Sequence, residues 1–130
     1  MEIRKRYIVP STAAEVWRAL TDTASIEAWG GGPAEMDATP GGRFSLWGGD
    51  IHGTNKELSP ASRLVQEWYG GDWDEPSVAV FTIEETAEGT ALDLVHTGVP
   101  GPQVTDFDRG WDDYYLGPLR DYLTRDEDEG

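Results

Sequence analysis

Two histidines, His52 and His96, are the only side chains here whose ordinary titration lies near neutral pH, and no cysteine accompanies them. Thiolate nucleophiles, disulfides and cysteine-bearing zinc sites are therefore excluded, and a rich His/Cys metal centre with them. No H-E-x-x-H pair, G-x-S-x-G elbow or phosphate-binding glycine loop occurs. Two acidic groups have the composition of a calcium site: Asp72, Asp74 and Glu75, and then Asp106, Asp108, Asp112 and Asp113. Neither has the calcium-loop spacing with glycine in sixth place, so both read as solvated faces. His96 continues the alternation Leu92, Leu94, His96 and so points inward, where it reads as a core histidine with a satisfied nitrogen. His52, between Ile51 and Gly53, reads as solvent-facing and receives no role. No catalytic residue, metal ligand or cofactor is assigned. A cyclase or hydrolase would need His96 beside a second polar side chain at a pocket.

The aromatic residues offer a different chemistry, that of an apolar pocket with a few polar handles. The expected ligand-binding set is Trp29, Phe44, Leu46, Trp68 and Phe81 from the first two thirds of the chain. Leu94, His96, Trp111, Tyr114 and Tyr115 complete it near the end.

These side chains need elements to place them. From Trp111 onward the apolar positions Trp111, Tyr114, Tyr115, Leu119, Tyr122 and Leu123 form the stripe of a helix that buries one face. That helix follows Thr97-Gly98-Val99-Pro100 and is expected to start near Thr105, with Asp108 as capping partner. Pro118 lies inside it, which predicts a kink at Gly117-Pro118. Upstream, Ile3, Lys5, Tyr7 and Val9 alternate as a first strand, and Thr12 with Glu15 opens a short helix as a capping box. A second helical turn, about Ser25 to Trp29, ends at Gly30-Gly31-Gly32. The runs 43–47, 51–58, 63–69, 77–85 and 90–95, separated by Gly- and Pro-rich turns, read as an antiparallel meander. The fold class expected is thus α+β: a curved antiparallel sheet of about six or seven strands around a long C-terminal helix, with two short helices after the first strand. Residues 1–125 read as a single domain and 126–130 as an acidic tail.

Charge excludes other classes of partner. The 130 residues carry 25 Asp and Glu against 10 Lys and Arg, a formal net charge of -15, which repels nucleic acid and anionic membranes. No apolar run approaches a membrane span and no signal peptide is evident, so the expected location is cytoplasmic. Only Lys5 and Lys56 are lysines, and an acid-rich, lysine-poor surface suits concentrated salt, hence a halophilic protein. Stability is expected to rise as salt increases, because the screening length falls from about 30 Å at 0.01 M to about 3 Å at 1 M. Melting the protein in parallel with a variant whose Asp72, Asp74, Glu84 and Glu88 are amidated checks this. The variant should start more stable at low salt and gain less from sodium chloride; equal slopes would assign the effect to apolar hydration instead.

Several segments, in order, resemble one family: Glu15-Val16-Trp17-Arg18-Ala19-Leu20-Thr21, Pro40-Gly41-Gly42-Arg43-Phe44, and Gly49-Asp50-Ile51-His52-Gly53. Leu58-Ser59-Pro60, Arg63-Leu64-Val65-Gln66-Glu67-Trp68, Gly89-Thr90-Ala91-Leu92, and Thr97-Gly98-Val99-Pro100 with Gly110-Trp111 continue the series. Over roughly residues 7–123 the chain resembles the activator of 90-kDa heat-shock protein ATPase homologue family, within the START-like, birch-pollen-allergen-like helix-grip superfamily. The resemblance implies a sheet wrapped around the terminal helix with an apolar cavity between them, and names no ligand. In the eukaryotic co-chaperone such a domain is the C-terminal half, and a separate N-terminal domain makes much of the chaperone contact. The expected function is binding of a small hydrophobic or aromatic molecule, with a stress-related accessory role. The alternative is a co-chaperone-type module whose partner is a chaperone or another protein.

Overall fold

The computed structural model describes residues 2–70 and 73–129, with side chains through Thr124. Asp72 of the first acidic group, and the side chains of the acidic tail, lie outside the described residues. Strand β1 (Glu2–Val9) leads into α1 (Ala13–Thr21) and α2 (Thr23–Trp29). The chain then folds as β2 (Glu35–Met36), β3 (Arg43–Leu46), β4 (Ile51–Ser59), β5 (Arg63–Gly70), β6 (Ser77–Thr86) and β7 (Gly89–Thr97). All seven strands form one antiparallel sheet in the order β1-β7-β6-β5-β4-β3-β2, so the meander is closed off on one side by the return of β1. The architecture is the α+β helix-grip fold.

Each strand turns alternate residues inward. Phe44 and Leu46 from β3, Trp68 from β5, Phe81 and Ile83 from β6, and Leu92 and Leu94 from β7 build the buried face. Two of the short helices' signals act as read: the Thr12 hydroxyl accepts from the Glu15 amide, and Gly30 leaves α2 in the left-handed conformation at φ 110°.

The terminal helix departs from expectation in three ways. It begins one turn early: a 3₁₀ turn (Gly101–Gln103) runs into α3 (Val104–Gly110), so Thr105 lies inside the helix and the cap at Gln103 has no side-chain hydrogen bond. Just ahead of Pro118 the helix widens into a π-helical stretch (Trp111–Leu116) before continuing as α4 (Gly117–Glu129). Proline has no N–H for the Tyr114 carbonyl and crowds it, and one wide turn relieves that clash; the Gly117 amide bonds back five residues to the Asp112 carbonyl. The third departure follows from the second. A π turn shifts the phase of the helix, so Tyr114, placed by 3.6-residue spacing on the buried stripe, is 67% exposed. The buried stripe is Trp111, Tyr115, Leu116, Leu119 and Leu123.

Part of the second acidic group is a clamp and not a solvated face. Lys5, on the inward side of β1, bonds Asp108 at 2.5 Å and Asp112 at 2.9 Å, and the Tyr7 hydroxyl donates to Asp112 at 2.6 Å. Burial pulls the Asp112 carboxyl upward, but the hydrogen bonds from Tyr7 and Lys5 outweigh it and hold the group below the usual carboxylate range. Burial and the same hydrogen bond push Tyr7 up to about 12. The clamp fixes the outer strand β1 to the helix at the π turn.

Candidate functional site: an aromatic cavity at the π turn

Where the helix widens, it stands off the sheet, and a cavity of about 180 Å³ lies between them. The helix supplies Phe107 and Gly110 from α3, then Trp111, Tyr114 and Tyr115 from the π stretch. The sheet supplies Trp68 from β5 and Ile51 from the start of β4, and Trp47 closes the side. Asp106 and the exposed Tyr114 stand at the rim. Trp47 sits in the turn between β3 and β4 with φ 49°, a left-handed conformation that is strained for a tryptophan. It is held there by its amide bonding the Gly31 carbonyl at 2.8 Å and its indole N–H bonding the Gly30 carbonyl at 2.9 Å. The rings pack on one another: Trp68 and Trp111 lie 4.8 Å apart between centroids, as do Trp111 and Tyr115.

All three tryptophans on the wall turn their only donor away from the cavity. Besides the bond from Trp47, the Trp68 indole donates to Gln66 Oε1 at 2.9 Å, and Gln66 in turn donates to Asn55 Oδ1 at 2.8 Å. Asn55 completes the relay by donating to the Asp37 carbonyl at 2.7 Å. The Trp111 indole donates to His96 Nδ1 at 3.0 Å. An indole nitrogen can only donate, so Nδ1 is the unprotonated acceptor, and Nε2 carries the proton toward Ser77 Oγ at 2.7 Å. The wall therefore presents aromatic carbon with almost no hydrogen-bonding capacity.

His96 is fully buried, engaged at both nitrogens and absent from the cavity wall. Burial lowers its pKa to about 4, so it is a neutral structural link between β7, β6 and the helix. It offers no free nitrogen to a bound molecule. His52 is exposed on the outer face of β4, stacked on Tyr69 with centroids 5.5 Å apart. Among the described residues no group of three or more His, Asp or Glu side chains is placed to hold a metal ion.

Of the ten residues singled out from sequence, the structure brings Trp68, Trp111, Tyr114 and Tyr115 together around the cavity. Trp29, Phe44, Leu46, Phe81, Leu94 and His96 pack in the surrounding core and do not line it. Ile51, Phe107, Gly110 and the rim residue Asp106 escaped the sequence reading, and Trp47 lines the cavity beside them. Phe107 carried a usable signal, since it lies one turn ahead of Trp111 on the same helix.

The Tyr115 hydroxyl makes no hydrogen bond among the described residues, and the residue, 2% exposed, lines the cavity. Burial pushes its phenol well up, so it stays a neutral donor.

The sequence profile of the activator of Hsp90 ATPase homolog 1-like protein family matches residues 10–124. The chain belongs to this family. It is 30% identical over 109 residues to the human activator of 90 kDa heat shock protein ATPase homolog 1, covering 82% of this chain and 32% of that protein. Over 74 residues it is 39% identical to the Dictyostelium discoideum activator homolog, covering 55% of this chain and 19% of the relative. The chain thus spans about a third or less of the length of these curated relatives. Among solved structures it superimposes on an HSP90 activator from Plasmodium falciparum with a TM-score of 0.81 and 27% identity, covering 95% of both chains. CalU16 from Micromonospora echinospora gives a TM-score of 0.76 at 27% identity, covering 98% of this chain and 78% of that one. No helix among the described residues of this family member is long and apolar enough to cross a membrane.

Proposed function

We propose that this member of the Hsp90-activator homologue family binds a small apolar or aromatic molecule in the cavity at the π turn. The observation that carries this reading is the aromatic wall whose three indole N–H groups are all committed elsewhere, leaving contact surface without unmet polar demand. An engineered cavity of about 150 Å³ holds benzene, so the space here is the right order for one ring-sized group. An environment-sensitive apolar dye should bind and quench the tryptophans. Gly110→Leu should block it, since a Cβ at Gly110 meets only Tyr114 Cδ2, at 3.8 Å, and a longer side chain would grow into the cavity. Unchanged dye binding by a folded Gly110→Leu would place the dye elsewhere, and no binding of any apolar probe to the parent would end the ligand reading.

A second reading, a stress-related protein-binding module, is favoured by the similarity to the P. falciparum HSP90 activator over 95% of both chains. The human relative is three times as long as the matched stretch, so this domain alone is expected to contact a 90-kDa heat-shock protein weakly and in a salt-sensitive way. A steady-state ATPase assay with stoichiometric protein should give little stimulation. Several-fold stimulation would make the protein-binding reading the primary one.

A further inference from the structure

We infer that the preferred occupant of the aromatic cavity is a quaternary ammonium group, with Asp106 as its counter-ion at the rim. This inference rests on the cavity being a ligand site and narrows what the site selects.

Aromatic rings attract cations through the negative charge of their faces, and tryptophan does so best. Trp47, Trp68 and Trp111 supply indole rings to the wall of one small space, Trp68 and Trp111 packed on each other at 4.8 Å, and Tyr115, tilted 51° to Trp111, adds a phenol. With all three indole N–H groups turned away, little on the wall opposes a positive charge. Besides Tyr115, the lining residues that carry a side-chain acceptor are Asp106 and Tyr114, both at the rim. A primary ammonium seated against the indole rings would turn its N–H donors toward aromatic carbon, away from the acceptors at the rim, and each buried unpaired donor is costly. A fully alkylated nitrogen brings none. It is also weakly hydrated for an ion and has the apolar outline that this wall fits.

Asp106 provides the charge. Lys5 is engaged by Asp108 and Asp112, and Asp106 forms no ion pair or hydrogen bond among the described residues. Arg109, three residues on, neither lines the cavity nor reaches Asp106 within ion-pair distance. No lining residue is basic, which disfavours carboxylates and phosphates, and the net charge of -15 draws cations toward the whole surface.

The test compares isosteres that differ only in charge: choline, and 3,3-dimethylbutan-1-ol, in which carbon replaces the quaternary nitrogen. Binding is measured by calorimetry and tryptophan fluorescence, with the apolar dye in parallel. Choline is expected to bind about tenfold tighter or better at low salt. Asp106→Asn should weaken choline several-fold while leaving the alcohol unchanged, and added sodium chloride should weaken only choline. Asp106 is exposed, so the variant should fold, and circular dichroism checks that it does. If the alcohol binds as tightly as choline or tighter, the cation inference is overturned while the apolar-carrier reading stands. The same holds if the dye binds and neither isostere does. If choline wins but Asp106→Asn affects both isosteres alike, Asp106 is not the counter-ion and the inference as stated fails. Should dye, alcohol and choline all fail to bind, both readings fall together.

Discussion

Gly117→Ala is expected to destabilise the protein by about 3 kcal/mol or more, a drop of roughly 10 °C in Tm, although glycine to alanine inside a helix ordinarily stabilises. The reason is the π turn. A Cβ at Gly117 would overlap the carbonyl oxygen of Asp112, the acceptor that the Gly117 amide itself uses. A backbone oxygen cannot swing aside as a flexible side chain would. Nor can the segment retreat to α geometry. Pro118 would then collide with the Tyr114 carbonyl, and removing the extra residue of the wide turn would rotate Leu119 and Leu123 by about 100° off the buried face. The internal control is Gly110→Ala, seven residues earlier in the same helix. Gly110 has ordinary helical angles, φ -62° and ψ -35°, and a Cβ there would make only an ordinary contact with Tyr114 at 3.8 Å, so that substitution should stabilise by up to about 1 kcal/mol. Urea unfolding of both variants gives the comparison directly. Gly117→Ala as stable as the parent would mean that the wide turn is not held in place by this glycine and proline. Because the π stretch also holds Trp111 and Tyr115 against the cavity, a folded remnant of the variant should lose dye binding as well.

How far the sequence foretold this arrangement depends on which periodicity each element obeys. The strands obey theirs: Leu92, Leu94 and His96 alternate inward, and so do Leu64, Gln66 and Trp68, which is why the meander was readable. That second alternation also held an unused clue, since it sets Gln66 on the buried side, where an amide must find partners, and it finds Trp68 and Asn55. Strand β2 escaped because two residues have no period; it exists through its pairing of Glu35 with Ser45 and Met36 with Phe44. The terminal helix misled at Tyr114 because the stripe was laid out at 3.6 residues per turn. Pro118 announced a disturbance there without saying whether it would be a bend or a widening, and the choice depends on Gly117 tolerating the close approach of Asp112. The cavity itself was only partly legible. Its wall joins Trp47 and Ile51 to side chains more than fifty positions later, and Trp47 reaches it only through a left-handed turn that its sequence neighbours Gly48 and Gly49 hint at but do not require.

The same connection that keeps the wall apolar should appear as acid sensitivity. In the unfolded chain His96 titrates near 6.5, and in the folded protein burial lowers that to about 4. The unfolded state therefore binds a proton between these values that the folded state refuses. The stability this represents is fully present above pH 6.5 and is lost as the pH falls toward 4, by roughly 2 kcal/mol between pH 7 and 4.5. Protonation at Nδ1 would also break the acceptor that the Trp111 indole requires, and Trp111 is part of the cavity wall. Two other effects must be separated. Asp112 and Asp22, both held below the usual carboxylate range, weaken the fold only at still lower pH. Relief of repulsion among the 25 acidic residues acts in the opposite direction as they are neutralised. Urea melts of the parent and of His96→Gln at pH 7 and 4.5 isolate the histidine: the variant starts less stable where its amide pairs imperfectly, but should lose less on acidification by about that amount. The ring carbon shifts of His96 in the folded protein, followed by NMR, give the direct reading, a neutral imidazole with its proton on Nε2 persisting below pH 5. A midpoint near 6.5 would show that His96 is reached by water in the folded state and that its bond with Trp111 does not govern the cavity.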